Sequence, residues 1–238
     1  MGCGYYVSKQ SNLLKKFDKI SIRIEKKIAK YYYSEKFASK IKKEARAEFE
    51  SIIPEIPYFS GTINIFRELI IMSAWGVSFY KPMKKSGKTV EEVMMVVYEA
   101  TEEIHKSISK PLRWLLRKFI FSPIFLKIAQ ISSRNVSEHP DGWKIEYKKG
   151  ENKECNWYFE ATECAVVKFF NKQRVPELAY YCNLIDYIQS NVIGMGMQQL
   201  SCIGSGDKTC VECMKQGRET KIPGNLKKLF ENKANNKS

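Results

Sequence analysis

The sequence predicts an α+β protein in which a helical N-terminal half precedes a β-β-α-α-β-β unit, an antiparallel sheet covered by helices. Two observations predict it. Through the first half, apolar residues recur at steps of three and four, the helical period. Beyond a turn at 139–142 they alternate with polar residues, as in a half-buried strand. We therefore expect a helical region at 1–135, a pocket-forming α+β unit at 136–220 and a flexible basic tail at 221–238.

The first half is predicted to be almost entirely helical. Residues 9–50 carry apolar side chains on one face of two successive helices. The stretch 63–80 is apolar nearly all round, so it should lie at the centre of the molecule. Thr89 is expected to cap the following helix, with Glu92 three residues on as its capping-box partner.

A basic amphipathic helix is predicted over 111–129, with a bend at Ser122-Pro123. Such a helix either lies on a membrane surface or packs on a neighbouring element, and we favour packing. No apolar run in the chain reaches membrane-spanning length, so we expect no integral membrane segment. The pattern combines apolar Trp114, Leu115, Phe119, Ile120 and Phe125 with basic Arg113, Arg117 and Lys118.

The second half of the sequence is predicted to form two pairs of strands separated by two helices. Trp143, Ile145 and Tyr147 alternate with polar residues. Gly204-Ser205-Gly206-Asp207 is a hairpin signal between the last two strands. The predicted elements are strands at 143–147 and 157–163, helices at 164–172 and 175–190, and strands at 195–203 and 209–215.

The formal net charge of +14 indicates either an anionic partner or a surface coated with lysine. The lysines are scattered and no nucleic-acid-binding motif concentrates them, so we favour the coated surface and expect no nucleic-acid partner. A basic field would also attract a small substrate that carries a carboxylate. The oligomeric state stays open.

The chain has seven cysteines, six of them between Cys155 and Cys213. No secretory signal begins the sequence, which favours a cytoplasmic setting with free thiols rather than disulfides. Cys210 and Cys213 show C-x-x-C spacing, but in a strand these side chains point to opposite faces. We therefore expect no metal site, and the absence of a dinucleotide fingerprint leaves no cofactor to expect.

The candidate catalytic groups begin with Glu163-Cys164, at a predicted strand-to-helix junction. Helix N-terminal N–H groups stabilise a thiolate, and an adjacent carboxylate can move protons. Lys168 lies one turn further on, and Cys182 and Asp186 are also four residues apart. The alternative is that the cysteines pack as small hydrophobes and the lysine is a solvated charge.

Three sequence blocks resemble the L-2-amino-thiazoline-4-carboxylic acid hydrolase family, most specifically over 157–213. The first is Thr162-Glu163-Cys164-Ala165-Val166-Val167-Lys168-Phe169, the second is Pro176-Glu177-Leu178 with Tyr181-Cys182-Asn183-Leu184-Ile185-Asp186-Tyr187, and the third is the glycine-bearing turn that leads to Cys210. The resemblance implies hydrolytic opening of a cyclic isothiourea-like C=N bond, which yields a carbamoyl-cysteine.

Such a reaction needs a nucleophile, a proton donor for the ring nitrogen and a cation for the substrate carboxylate. Chemistry suggests Cys164 or Cys210 for the attack, Glu163 or Asp186 for proton transfer, and Lys168 for the carboxylate. We add three residues as substrate-binding candidates, which are Tyr158, Cys182 and Gln198.

The sequence also departs from the family pattern. An arginine-threonine pair is common in the strand that here reads Gln198-Gln199-Leu200-Ser201. Loss of the arginine removes a bidentate carboxylate clamp, which indicates divergence toward a related acyl or amide reaction. The β-β-α-α-β-β unit further resembles vinyl-reductase-like domains, so a non-catalytic small-molecule-binding or sensing protein is the alternative.

Overall fold

A computed structural model describes residues 3–150 and 154–235. The α-helices are α1 (Cys3–Ser8), α2 (Gln10–Tyr32), α3 (Glu35–Ile52), α4 (Phe66–Lys85), α5 (Val90–Lys106), α6 (Lys110–Ile120), α7 (Pro123–Ser137), α8 (Ala165–Lys172), α9 (Leu184–Ile193) and α10 (Lys227–Asn235). The strands are β1 (Lys144–Lys149), β2 (Trp157–Glu163), β3 (Met197–Ser201) and β4 (Cys210–Met214). Short 3₁₀ helices occupy Ile53–Glu55, Pro176–Tyr181, Ile203–Ser205 and Gly224–Leu226. This order confirms the predicted α+β class.

The helical half is held together by aromatic packing around α4. Phe17 of α2 stacks on Phe49 of α3 at 4.8 Å between ring centroids, and on Phe79 of α4 at 5.4 Å. All three side chains are almost fully buried. The central position predicted for the apolar stretch 63–80 is therefore confirmed, although the helix begins at Phe66 and continues to Lys85.

The start of α5 follows the predicted capping box. The Thr89 hydroxyl accepts from the backbone N–H of Glu92 at 3.2 Å, and the Glu92 carboxylate accepts from the Thr89 N–H at 2.9 Å. Both donors would otherwise lack a helical partner. Reciprocal caps of this kind fix where a helix begins.

The basic stretch 111–129 forms two helices rather than one bent helix. The break falls at Ser122, whose hydroxyl caps α7 by accepting from the Phe125 N–H at 3.2 Å. No side chain of α6 is fully buried: Ile120 packs partly buried against the core, whereas Trp114, Leu115 and Phe119 are 43% to 57% exposed, so the expected packing holds for only part of this helix. Within the described ranges, no helix is both long and apolar enough to cross a bilayer.

The sheet is antiparallel throughout, with strand order β1-β2-β4-β3. Register pairs Trp157 with Met214, and Met214 with Met197, so these three side chains share one face. All three are buried, and this inner face meets the helices. The outer face carries Tyr158, which is paired with Cys213.

One pair of cysteines corrects the expectation of free thiols. Cys155, just before β2, is disulfide-bonded to Cys213 on the outer face of β4, with 5.5 Å between their Cα atoms. The register brings the start of β2 beside the end of β4, which places the two thiols within bonding reach. The cysteines Cys164, Cys182, Cys202 and Cys210 are free.

The second predicted helix, 175–190, is divided in the structure. Pro176–Tyr181 forms a 3₁₀ helix, and the α-helix begins only at Leu184. Further on, Leu226 and Leu229 are buried among the core residues, so this part of the C-terminal stretch packs against the body of the protein.

Candidate active site

A cavity of about 100 Å³ lies between the inner face of the sheet and helices α4, α8 and α9. Its walls are mostly apolar and aromatic, and its polar groups come from β3, β4, α9 and the loops beside them. None of the described residues that line it is Lys, Arg or His. The lining comprises Phe66, Leu69, Ser73, Trp143, Ile145, Tyr147, Phe159, Ala161, Cys164, Val166, Cys182, Asn183, Ile185, Asp186, Gln199, Cys202, Cys210 and Glu212.

Glu212 enters the cavity from the sheet. On β4 it is paired with Phe159 of β2 and Gln199 of β3, and all three line the cavity. Its side chain is 2% exposed, and its Oε2 atom has no hydrogen-bond partner among the described residues. Burial, followed by the charge of Asp186, raises the pKa of Glu212 well above its usual value. The site therefore favours the protonated form of this carboxyl, which can donate a proton.

Asp186 faces Glu212 from the first turn of α9. Burial raises the pKa of its carboxyl to about 7, with a smaller contribution from the charge of Cys202. A group that titrates near neutrality can both give and take a proton at physiological pH. Asp186 is thus a sequence candidate that the structure does bring to the cavity.

Four thiols converge on the same cavity: Cys164, Cys182, Cys202 and Cys210. The sulfur atoms of Cys182 and Cys202 are 3.8 Å apart, and the Ile203 N–H donates to the sulfur of Cys210 at 3.0 Å. Hydrogen bonds from Cys182 and Cys210, with further donors on Ser205, lower the pKa of Cys202. The same contacts raise the pKa of Cys182 and Cys210, so the hydrogen bonds of this cluster favour a thiolate at Cys202.

Cys164 is in the cavity but is a poor thiolate. It is the N-cap residue of α8, and the backbone N–H groups of Val166 and Val167 do favour its ionised form. Burial outweighs them and raises the pKa of the thiol to about 11. The helix N-terminus expected to activate this cysteine therefore does not compensate for its desolvation.

Gly204 allows the hairpin loop to close onto the thiol cluster. A Cβ atom at this position would lie 2.0 Å from the carbonyl oxygen of Ala179 and 2.8 Å from the sulfur of Cys182. Only glycine fits such an approach of two backbones. The glycine of the third sequence block is thus required for contact between this loop and the 3₁₀ helix that leads to Cys182.

Glu163 and Lys168 do not line this cavity. The Lys168 ammonium donates to the Glu163 carboxylate and to the carbonyl oxygens of Pro140 at 2.9 Å and Gly142 at 3.1 Å. These bonds fix the turn before β1 against the start of α8. Hydrogen bonding to Lys168 lowers the pKa of Glu163, which keeps this exposed carboxylate ionised. Lys168 therefore has no free donor for a substrate carboxylate in the cavity.

Tyr158 and Gln198 also lie outside the cavity, because strand alternation turns them to the outer face. Gln198 accepts from Arg218 there at 3.3 Å. The cavity receives the next residue instead: Gln199 lines it and accepts a hydrogen bond from Asn183. Asn183 donates further to Asn225 at 3.0 Å, which fixes the amide of Gln199 in place.

Sequence reasoning missed Glu212, Cys202, Gln199 and Asn183 as members of the site. The sequence did contain a signal for Glu212. Cys210 and Glu212 are two residues apart in a strand, so a cavity that receives one must receive the other. For Cys202, which lies between β3 and the hairpin loop, the sequence carries no such signal.

In the described parts of the chain, no group of three His, Cys, Asp or Glu side chains is placed to hold a metal ion. The model of the L-2-amino-thiazoline-4-carboxylic acid hydrolase family matches residues 65–213, more than half of the chain. No curated protein and no solved structure matches the chain. The matched stretch contains every residue that lines the cavity. The chain therefore belongs to the L-2-amino-thiazoline-4-carboxylic acid hydrolase family.

Proposed function

We propose that the chain is a cysteine-dependent hydrolase that opens a C–N bond in a small cyclic amidine- or isothiourea-like group, such as 2-aminothiazoline. The observation that carries the proposal is the convergence of Asp186 and Glu212 with Cys202 on one buried cavity. The family match supports the reaction class.

The cavity suits the nitrogen-rich end of such a substrate. Carboxylates accept the paired N–H groups of an amidine in a bidentate fashion, and these bonds are strong when water is excluded. The unprotonated oxygens of Asp186 and Glu212 supply acceptors, and the protons that the two carboxyls hold are the ones transferred to the substrate. A substrate carboxylate has no cationic partner among the described lining residues, so recognition of a carboxylate is not what this cavity offers.

The proposed reaction assigns each group one role. The Cys202 thiolate adds to the carbon between the two nitrogens, and the C=N electron pair moves to the ring nitrogen, which takes the proton of Glu212. The C–N bond then breaks, and the ring nitrogen leaves as an amine after it takes a second proton from Asp186. Water adds to the carbon, its two protons return to the carboxylates, and the Cys202 thiolate departs from the carbamoyl product.

Ring opening adds one water to the substrate, so mass spectrometry of 2-aminothiazoline and its 4-carboxylate measures it directly. We expect turnover of 2-aminothiazoline, slower turnover of its 4-carboxylate because the described cavity lining has no cation, and losses of roughly 10²- to 10⁴-fold for Asp186→Asn and Cys202→Ala. Gln198→Ala is the control, because Gln198 lies outside the cavity. An unchanged rate in Cys202→Ala would remove the covalent step, and an unchanged rate in Asp186→Asn would remove the assigned proton transfer.

A non-catalytic small-molecule-binding protein is the second candidate. The raised pKa of Cys164 favours it, because the thiol that the helix N-terminus should activate stays protonated. In that case the same compounds would bind and Asp186→Asn would weaken binding, but no product heavier by one water would form.

A further inference from the structure

A second cavity, of about 150 Å³, lies between the helical half and helices α8 and α9. Ser73, Val166, Cys182 and Ile185 line both cavities, so the two spaces adjoin at these four side chains. An apolar cavity of this volume stays dry and accepts a molecule of about benzene size. The other lining residues include Trp75, Val97, Ala100 and His105.

One residue that lines this second cavity has a buried polar atom without a partner in the described part of the chain. The Ser73 hydroxyl donates to the Leu69 carbonyl at 2.9 Å, and His105 Nδ1 lies 2.8 Å from the Thr101 carbonyl oxygen. The indole N–H of Trp75, by contrast, is buried and has no acceptor among the described residues. A buried donor without an acceptor is destabilising, and a ligand oxygen that reaches it would remove that cost.

We propose that the substrate carries an apolar group of about benzene size with a carbonyl-like acceptor, and that this group occupies the second cavity while the nitrogen-rich head lies between Asp186 and Glu212. The inference rests on the proposed function, since it extends the same substrate. In the proposed substrate, an apolar extension takes the place of the carboxylate of 2-aminothiazoline-4-carboxylate. Lys and Arg are absent from the described lining of both cavities, which agrees with an uncharged extension.

Binding of three compounds to the Cys202→Ala variant, measured by calorimetry, tests the extension independently of turnover. They are 2-aminothiazoline and its 4-benzyl and 4-benzoyl derivatives. We expect the benzyl compound to bind at least about tenfold more tightly than the head alone, because burial of a phenyl ring removes apolar surface from water. The benzoyl compound should gain a further factor of about 2 to 10 from one hydrogen bond, and Trp75→Phe should abolish that gain alone.

Ala100→Leu fills the second cavity and leaves the first intact, so it should remove the advantage of both derivatives over the head. Val97→Met is a milder substitution for the same purpose if Ala100→Leu fails to fold. Equal binding of the head and its derivatives by the Cys202→Ala variant would overturn the inference. Turnover of 2-aminothiazoline would still support the proposed function in that case, so the two failures are distinguishable.

A separate surface carries an independent inference. Helix α6 and the start of α7 expose large apolar side chains on the outside of the protein. Those that are between 43% and 65% exposed are Leu112, Trp114, Leu115, Phe119 and Ile124. Surface residues of this type occur singly on most proteins, but a contiguous group marks an interaction site.

The charge of this region identifies the partner. From Ile104 to Ser137 the sequence has no Asp or Glu and seven Lys or Arg residues. The cations that α6 itself carries are Lys110, Arg113, Arg117 and Lys118, and none is within ion-pair distance of a described acidic group. A second copy of the chain, with its own net charge of +14, would add repulsion at this face. An anionic lipid surface would supply the missing counter-charge.

We infer that α6 lies flat on an anionic membrane surface, with Trp114, Leu115 and Phe119 inserted at the level of the headgroups. Flotation with vesicles of phosphatidylcholine, with and without 30% phosphatidylserine, tests this. Binding should need the anionic lipid and weaken as salt rises. Leu115→Ser should reduce binding several-fold, and Leu200→Ser is the matched control, because Leu200 is similarly exposed but lies on β3.

Two outcomes would overturn the membrane inference. One is equal flotation with both kinds of vesicle, or with neither. The other is a concentration-dependent dimer that Leu115→Ser dissociates, which would identify a second copy as the occupant of this face.

Discussion

Burial, followed by the charge of Asp186 on α9, raises the pKa of Glu212 on β4, because both carboxyl groups lie in one buried cavity. Low dielectric makes a second negative charge costly beside the first. The pair thus prefers to hold at least one proton at neutral pH. Ionisation of both carboxyls therefore destabilises the folded protein. Such destabilised ionisable groups are common in sites that transfer protons.

Asp186 should therefore make stability fall as the pH rises. Its pKa is about 7 in the folded protein, against 3.8 for an ordinary aspartate. The folded state binds the extra proton between these values, so this contribution is complete below pH 3.8 and is lost as the pH passes 7. In Asp186→Asn, the drop in unfolding free energy from pH 5 to pH 8 should be smaller by about 2 to 3 kcal/mol. Urea unfolding at the two pH values measures it.

Glu163 provides the matched control for that measurement. Its pKa is lowered by Lys168, so its stabilising contribution is present above the ordinary pKa of 4.5 and is lost only as the pH falls below that value. Glu163→Gln should leave the change between pH 5 and pH 8 as it is in the native protein. An unchanged pH dependence in Asp186→Asn would contradict a raised pKa at that position.

Glu212→Gln should raise the stability of the protein and lower its activity. The amide has nearly the shape of the protonated acid, but it cannot ionise in a site where Oε2 has no partner among the described residues. We expect unfolding free energy at pH 8 to rise by on the order of 1 kcal/mol, while ring opening falls at least roughly 100-fold because the proton donor is lost. Loss of stability together with activity would indicate a structural role for the carboxylate.

The sequence predicts much of the fold because its signals are local. The Thr89–Glu92 capping box and the alternation around Ile145 each depend on neighbours within four residues. The 3₁₀ helix at Pro176–Tyr181 was not predicted. The backbone of this 3₁₀ helix lies against Gly204, and helical periodicity carries no information about such a tertiary contact.

The site is harder to predict because it depends on strand parity. Choosing Gln198 rather than Gln199 moves the side chain to the opposite face of β3, and both are glutamines, so composition cannot decide between them. Lys168 satisfies the one-turn spacing from Cys164, yet the carbonyls of the 139–142 turn engage it outside the cavity. That turn is distant in sequence from Lys168.

Gly204→Ala should perturb the thiol cluster as well as the fold. The added methyl group would meet the Ala179 carbonyl and the Cys182 sulfur, so the loop must move away. Overpacking of this kind costs about 1 to 3 kcal/mol. Thermal unfolding measures the cost, and alkylation of Cys202 by iodoacetamide reports the cluster. Gly224→Ala is the control, because a Cβ there would meet no atom within 4 Å and both readouts should stay unchanged.

The Cys155–Cys213 bond should stabilise the part of the chain that holds the cavity. It closes a loop of 58 residues that contains α8, α9 and β3. Restriction of the unfolded chain by such a loop contributes about 2 to 4 kcal/mol. Cys155→Ser should lower the unfolding free energy by that amount in the absence of reductant. With dithiothreitol the native protein should unfold at the same urea concentration as the variant, whereas a persistent difference would mean that the serine itself disturbs the start of β2.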